Sequence, residues 1–220
     1  MADESIRRSL LERLYRDYLE HEDTPRFLSM VSKRYTNSTL ERIALTGDRQ
    51  ERRAAVLALG FLGNYESNAA LGKSLHDDDR VVRMIAENSI REVWFRSGSD
   101  VNRRTLHQVA KLNEGRRYKD ALRIANQLID DAPFIAEAWN QRAIAYFQLK
   151  KYAESADDCH QALEINPYHF GAAVGMGHCY LELSDAIGAL ESFRRALRLN
   201  PDMEDVRGQV TFLERQLEES

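Results

Sequence analysis

Apolar side chains recur three or four residues apart along most of this 220-residue chain, the spacing that gives an α-helix one buried stripe. Ile6, Leu10, Leu14 and Tyr18 form a first stripe. Phe27, Met30, Val31 and Tyr35 form a second, with a break at Thr24 and Pro25 between them. Leu40 with Ala44 and then Ala55, Leu59 and Leu62 continue the pattern, and Val206, Val210, Leu213 and Leu217 close it. The pattern predicts an all-α chain.

Two internal periods organise the stripes. Pro133, Pro167 and Pro201 are 34 residues apart, and a fixed period of that size is what repeat arrays produce. Proline cannot continue a helix and pushes its predecessor out of the helical region, so each one marks the end of a unit. With the proline at position 32, position 11 is Tyr146 and Tyr180, position 27 is Ala162 and Ala196, position 28 is Leu163 and Leu197, and position 31 is Asn166 and Asn200. Short side chains at positions 8 and 20, Ala143 with Ser155 and Gly177 with Ala189, allow two antiparallel helices to approach closely. Earlier in the chain a shift of 31 residues pairs Leu40 with Leu71, Ala44 with Leu75, Asp48 with Asp79, Arg52 with Arg83, Ala55 with Ala86, Leu59 with Ile90 and Leu62 with Val93. Asp and Arg four apart are expected to pair along the second helix of each unit, with the Asp at its positively polarised start. Ser97 to Asp100 is the composition shift between the two periods.

The 34-residue unit resembles the tetratricopeptide repeat, whose signature is met by Trp139, Ala143, Tyr146, Ser155, Cys159, Ala162 and Pro167. The following unit keeps Gly177, Tyr180, Ala189, Phe193, Ala196 and Pro201, with Ala173 in place of the tryptophan. The unit before, Asn102 to Ile135, keeps Tyr118, Ala121 and Pro133 but has Val109, Leu112 and Leu128 at patterned positions, and reads as a degenerate copy. Asp79, Val82, Arg83 and Ala86 resemble a HEAT-type repeat, and Glu51 takes the valine's place in the unit before. These resemblances imply a right-handed α-solenoid of stacked helical hairpins. Its expected order is N-terminal capping helices over 1–36, two HEAT-like repeats over 37–98, three tetratricopeptide repeats over 102–203 and a capping helix over 204–220.

Composition narrows the function. Four prolines and 11 glycines are few for this length, and 43% hydrophobic with 30% charged residues fits neither a disordered tail nor a membrane protein. A net charge of −4 gives no global reason to bind nucleic acid or anionic membrane. Arg103, Arg104, Lys111, Arg116, Arg117 and Lys119 make a local basic excess, which is the basis of an alternative reading as a nucleic-acid-binding repeat protein. Stacking aromatics are sparse there, so nucleic acid is the weaker alternative. Asp3, Glu4, Arg7 and Arg8 interrupt any apolar run of the secretory kind, and two cysteines cannot build a disulfide framework, so a cytoplasmic setting is expected.

Candidate chemistry mostly dissolves into packing. Cys159, His160, His178 and Cys179 include good zinc ligand types, but the register puts Cys159 at the buried position that Phe193 fills one unit later. Asp77 to Asp79 lack the spacing of a calcium loop and precede a helix start. Gly171, Gly175 and Gly177 fall within a helix, where they fit close packing rather than a phosphate loop. The carboxylate pairs Asp130 with Asp131 and Asp157 with Asp158 carry no pocket signal. The expectation is no enzyme, no metal and no cofactor. The family resemblance implies instead a concave groove lined by the first helix of each unit, here Arg103, Leu106, Ala110, Asn113, Glu137, Asn140, Ile144, Phe147, Val174, His178 and Leu181. It would hold a peptide or a helix of a protein partner in an adaptor or scaffold, with Phe147 either an anchor in that groove or packed against the capping helix or the repeat junction. Some members of the family clamp the acidic tail of heat-shock chaperones with lysine, asparagine and arginine. Those positions are Leu106, Ala110, Gln141, Gly171 and Gly175 here, so binding of such a tail is not expected.

Overall fold

A computed structural model describes residues 8–219, and the described residues contain helices and no strand. The chain divides into two compact units, Met1–Val93 and Trp94–Ser220. The first contains α1 (Leu10–His21), α2 (Thr24–Ser32), α3 (Asn37–Thr46), α4 (Arg49–Leu62), a 3-10 turn at Tyr65–Ser67, α5 (Asn68–Ser74) and α6 (Arg80–Trp94), whose last residue falls in the second unit. Side-chain oxygens of Ser9, Asp23, Thr36 and Asp48 accept the free backbone amides at the starts of α1 to α4. Asp48 forms a reciprocal capping box with Glu51, which explains the acid standing where the repeat pattern has valine.

Helix α3 packs on α4 and α5, and α1 and α2 cover α4. The residues matched by the 31-residue shift form this interior: Leu40, Leu71, Leu75, Ala55, Ala86, Leu59, Ile90 and Val93 are fully enclosed and Ala44 nearly so, while Leu62 is half-buried. Two expectations are corrected. The buried face of α1 is Leu11 and Tyr15, with Leu10, Leu14 and Tyr18 half-buried; Ile6 lies outside the described residues. The apolar arc of α1 is wider than one stripe, and the helix turns toward Glu12, a buried carboxylate neutralised by Arg16 at 3.0 Å and Arg8 at 3.6 Å. The expected pairing of Arg52 with Asp48 along α4 is also replaced. Arg52 forks onto Asp77 at 2.7 and 2.8 Å and reaches Asp78 at 2.6 Å, and Arg53 forks onto Asp79 at 3.0 and 2.7 Å. Both guanidiniums therefore tie α4 to the turn that starts α6, because a fork matches a carboxylate better across two elements than along one.

The second unit holds α7 (Asp100–Glu114), α8 (Tyr118–Asp131), α9 (Ala136–Gln148), α10 (Tyr152–Ile165), α11 (Phe170–Glu182), α12 (Ala186–Leu199) and α13 (Glu204–Glu218). Helices pair in order as α7 with α8, α9 with α10 and α11 with α12. Each second helix packs on the next first helix, and α7, α9 and α11 lie side by side. The three prolines follow α8, α10 and α12 by two residues. Close approach at the hairpins is as the small residues require: the Ser155 hydroxyl donates to the Ala143 carbonyl at 2.8 Å, and a Cβ on Gly177 would lie 2.6 Å from the Phe193 ring. Arg116, Lys150 and Ser184, again 34 residues apart, hold the turns inside the hairpins in the left-handed region at φ 57, 61 and 62°. The next amide in each turn donates back to Leu112, Tyr146 or Tyr180 at 2.8, 3.0 and 2.8 Å, the hydrogen bond that ends a helix on a left-handed residue.

Two outcomes follow from this packing. In one urea-denaturation series, Gly177→Ala should lose about 1–3 kcal/mol by driving a methyl into Phe193, while Lys150→Gly should gain stability by relieving left-handed strain worth about 1 kcal/mol. The hydrogen bonds from Arg53, together with the amides of Val81 and Val82, hold the Asp79 carboxyl down at about 2, below its ordinary 3.8. A depressed native value stabilises the fold above the ordinary value and is lost as pH falls through the native one. Thermal midpoints should therefore drop between pH 4 and pH 2, and Asp79→Asn should start lower and fall less over that interval.

Candidate partner-binding site

A 34-residue period places equivalent residues of α7, α9 and α11 in rows across these side-by-side helices, and the period continues along the chain into α13. The structure sorts the expected groove residues into three classes. Leu106, Asn113 and Glu137 are buried, at 0%, 8% and 3% exposure, and offer no open surface. Leu106 sits in the core with Leu128, Ile129 and Ile135, and Phe95 packs against that cluster. Ala110, Asn140, Phe147, Val174 and Leu181 are half-buried, as is Arg103, whose guanidinium is bound to Asp100 and to the Gly98 carbonyl. Ile144 and His178 are exposed. The Phe147 ring stands edge-on to Tyr152 at 5.3 Å, so the expected anchor packs at the turn and shows only part of its surface.

Beneath this face runs a polar chain. The Asn113 amide donates to the Gln141 carbonyl at 2.8 Å and to Gln141 Oε1 at 3.0 Å, and Gln141 Nε2 donates to Glu137 Oε1 at 2.7 Å. Asn140 Nδ2 donates to the same oxygen at 3.1 Å, and Glu137 Oε2 lies 2.8 Å from His169 Nε2. The Ala172 amide donates to His169 Nδ1 at 3.0 Å, which caps α11 and leaves the ring proton on Nε2, aimed at Glu137. Trp94 stacks on the imidazole at 4.1 Å and tilts against Phe170 at 5.1 Å. A buried carboxylate is tolerable only with partners of this kind, and Glu137 has three.

Sequence reasoning missed Trp94, His169 and Phe212. Trp94 stands one residue past the last matched pair of the 31-residue shift, so periodicity gives it no role. His169 is at position 34, where the next helix takes its cap. Phe212 was readable: it continues Ala110, Ile144 and His178 at the same spacing, and it is 57% exposed on a helix expected only to cover an end.

The other candidate groups take structural places. Cys159 is buried in the core, and the Cys179 thiol donates to Ser155 Oγ at 3.1 Å. His160 is exposed beside Glu164, and the described residues bring together no group of three metal-ligating side chains. Gly175 fits close packing, since its Cβ would lie 3.1 Å from the Cys159 sulfur; Gly171 has room for one. Asp157 and Asp158, expected to lack a pocket, border a cleft of about 410 Å³ between α9 and α10 with Trp139, Arg142 and Tyr146. Arg142 neutralises Asp158 through a fork at 2.8 and 2.7 Å and lies 4.8 Å from the Trp139 ring. Burial raises the Asp158 carboxyl above its ordinary value against the pull of Arg142. The covered part of the His178 ring pushes it below its ordinary value, against the pull of Glu182. Replacing His169 by Ala should cost about 3–5 kcal/mol in urea unfolding, because the Glu137 charge stays buried with one partner fewer. The emission of Trp94 should shift to the red in the same variant, while Glu137→Gln, which removes the buried charge, should cost less.

Residues 136–169 and 171–203 each match a tetratricopeptide repeat family model. A TPR repeat-containing protein of Rhizobium etli is 32% identical over 130 residues, covering 59% of this chain and 64% of the relative. RNA polymerase II-associated protein 3 of Xenopus tropicalis is 29% identical over 104 residues, which is 47% of this chain and 16% of that protein. The chain thus spans less than two thirds of either curated relative. Among solved structures, the first TPR of Spaghetti (RPAP3), bound to the HSP90 peptide SRMEEVD, aligns with a TM-score of 0.52 at 23% identity, covering 55% of this chain and 95% of that one. The Sgt2 TPR domain from Aspergillus fumigatus aligns equally well at 18% identity, over 55% of this chain and 82% of that one. The hairpins α9–α10 and α11–α12 are two tetratricopeptide repeats.

Proposed function

We propose that this chain is a protein-interaction adaptor whose second unit captures a peptide or helix on the face of α9, α11 and α13. The observation that carries the reading is the run of large apolar side chains left uncovered on first helices, Ile144 at 38% and Phe212 at 57% exposure with Phe147 and Leu181 half-buried between them. The first unit, read as two HEAT-like hairpins behind a capping pair, would supply a second surface. Two buried free thiols support a reducing, cytoplasmic setting. The nucleic-acid alternative loses ground because Arg103 and Arg117 are already paired with Asp100 and Asp120.

The Spaghetti domain holds a chaperone peptide, which weighs in favour of such a ligand. The residues here weigh against it. Leu106 and Gln141 are buried, Gly171 and Gly175 carry no side chain, and Glu137 places a carboxylate among the clamp positions. Pull-down with the intact chain should lose its captured proteins on Asn140→Ala with Phe147→Ala, and an unchanged set would overturn the assignment of this face. The peptide SRMEEVD should show no saturable binding in fluorescence anisotropy.

A further inference from the structure

Both cysteines of the chain meet where α10 packs on α11. Ser155 and Cys159 stand one turn apart on α10, and Gly175 and Cys179 one turn apart on α11. The two pairs touch at each end: the Cys179 sulfur lies 3.1 Å from Ser155 Oγ, and the Cys159 sulfur lies 3.1 Å from the place a Cβ on Gly175 would take. With no side chain at Gly175, Cys159 leans across the interface and its thiol donates to the Cys179 sulfur. That bond makes the two sulfurs unequal. It pushes the Cys159 thiol above its ordinary value, to which burial adds, and it pulls the Cys179 thiol below its own by favouring the thiolate. Cys179 is enclosed, but Tyr152 and Glu182 lie near it, the first half-buried and the second exposed, so a local opening at this hairpin turn admits a molecule little larger than water.

We propose that Cys159 and Cys179 are an oxidant-sensitive dithiol, which hydrogen peroxide converts into a disulfide tying α10 of one repeat to α11 of the next within a single folded chain. Cys179 is the attacking sulfur, because the thiolate is the nucleophile. It bonds to one peroxide oxygen, the O–O bond breaks, and the departing hydroxide leaves as water with the proton that Cys179 gave up. The Cys159 sulfur then attacks the sulfenic acid on Cys179; the S–S bond forms, the S–O bond breaks, and hydroxide leaves with the Cys159 proton as a second water. Two electrons pass from the sulfur pair to the peroxide. The bond closes a loop over residues 159–179 and fastens α11, with Val174, His178 and Leu181 of the candidate face, to the hairpin before it. The inference does not depend on what that face binds.

The test treats the intact chain with hydrogen peroxide in native buffer, then unfolds it in urea with a thiol-alkylating reagent and weighs it. The untreated chain should take up two labels and the treated chain none, with a single peptide mass joining Cys159 to Cys179 and full recovery in dithiothreitol. The oxidised chain should keep its helical circular dichroism and shift its thermal midpoint upward, since the link restricts the unfolded chain. Cys159→Ser should stop at a sulfenic acid on Cys179 that dimedone traps, whereas Cys179→Ser should leave Cys159 open to alkylation over the same time. Two labels after treatment, a link between two chains, loss of helix on linkage, or Cys159 oxidised as fast without Cys179 overturns the proposal. The label count and the joined peptide need neither variant, so they decide the matter even where a serine disturbs folding.

Discussion

The second unit depends on how closely the two helices of each hairpin approach. Where Ala143 meets Ser155, a hydroxyl satisfies a backbone carbonyl on the facing helix, and where Gly177 meets Phe193 an aromatic ring occupies the space a side chain would take. Two different chemistries produce the same near contact. The exchange matters because helix spacing, once set, fixes which side chains are enclosed and which remain on the face of the first helices. Cys159 is enclosed for this reason: it fills the place of the Phe193 ring in a hairpin whose partner helix is equally near.

Periodicity made much of this legible. Prolines and small residues located the hairpins, and the 31-residue shift found buried partners in the first unit. What escaped it were interactions with no period. The face of α1 was ambiguous because its apolar arc spans more than one stripe, and the choice was settled by Glu12 having two arginines. Arg52 was expected to pair along its own helix because spacing along a chain says nothing about carboxylates 25 and 26 residues ahead. Leu106, Asn113 and Glu137 were expected at a surface from their register, yet register specifies direction, not whether other side chains cover that direction. Phe212 was missed for a different reason, since α13 was read only by the face it buries.

Polar burial and partner choice meet at Glu137. Its carboxylate is expensive to enclose, and Gln141, Asn140 and His169 offset that cost only in one arrangement of α9 against the start of α11. The same groups stand among the positions where related domains hold an acidic tail. A residue that pins the register of two repeats thereby also places a carboxylate beneath the face.

Trp94 carries a practical consequence for separating the two units. Ser99, with its capping box to Asn102, marks a clean helix start and would be the obvious place to begin a shortened chain. Such a chain would lack the ring that roofs His169, and water would reach the imidazole and the carboxylate behind it. The usable cut lies upstream, within the last turns of α6, so the natural boundary of the repeat unit falls inside a helix rather than in the loop that follows it.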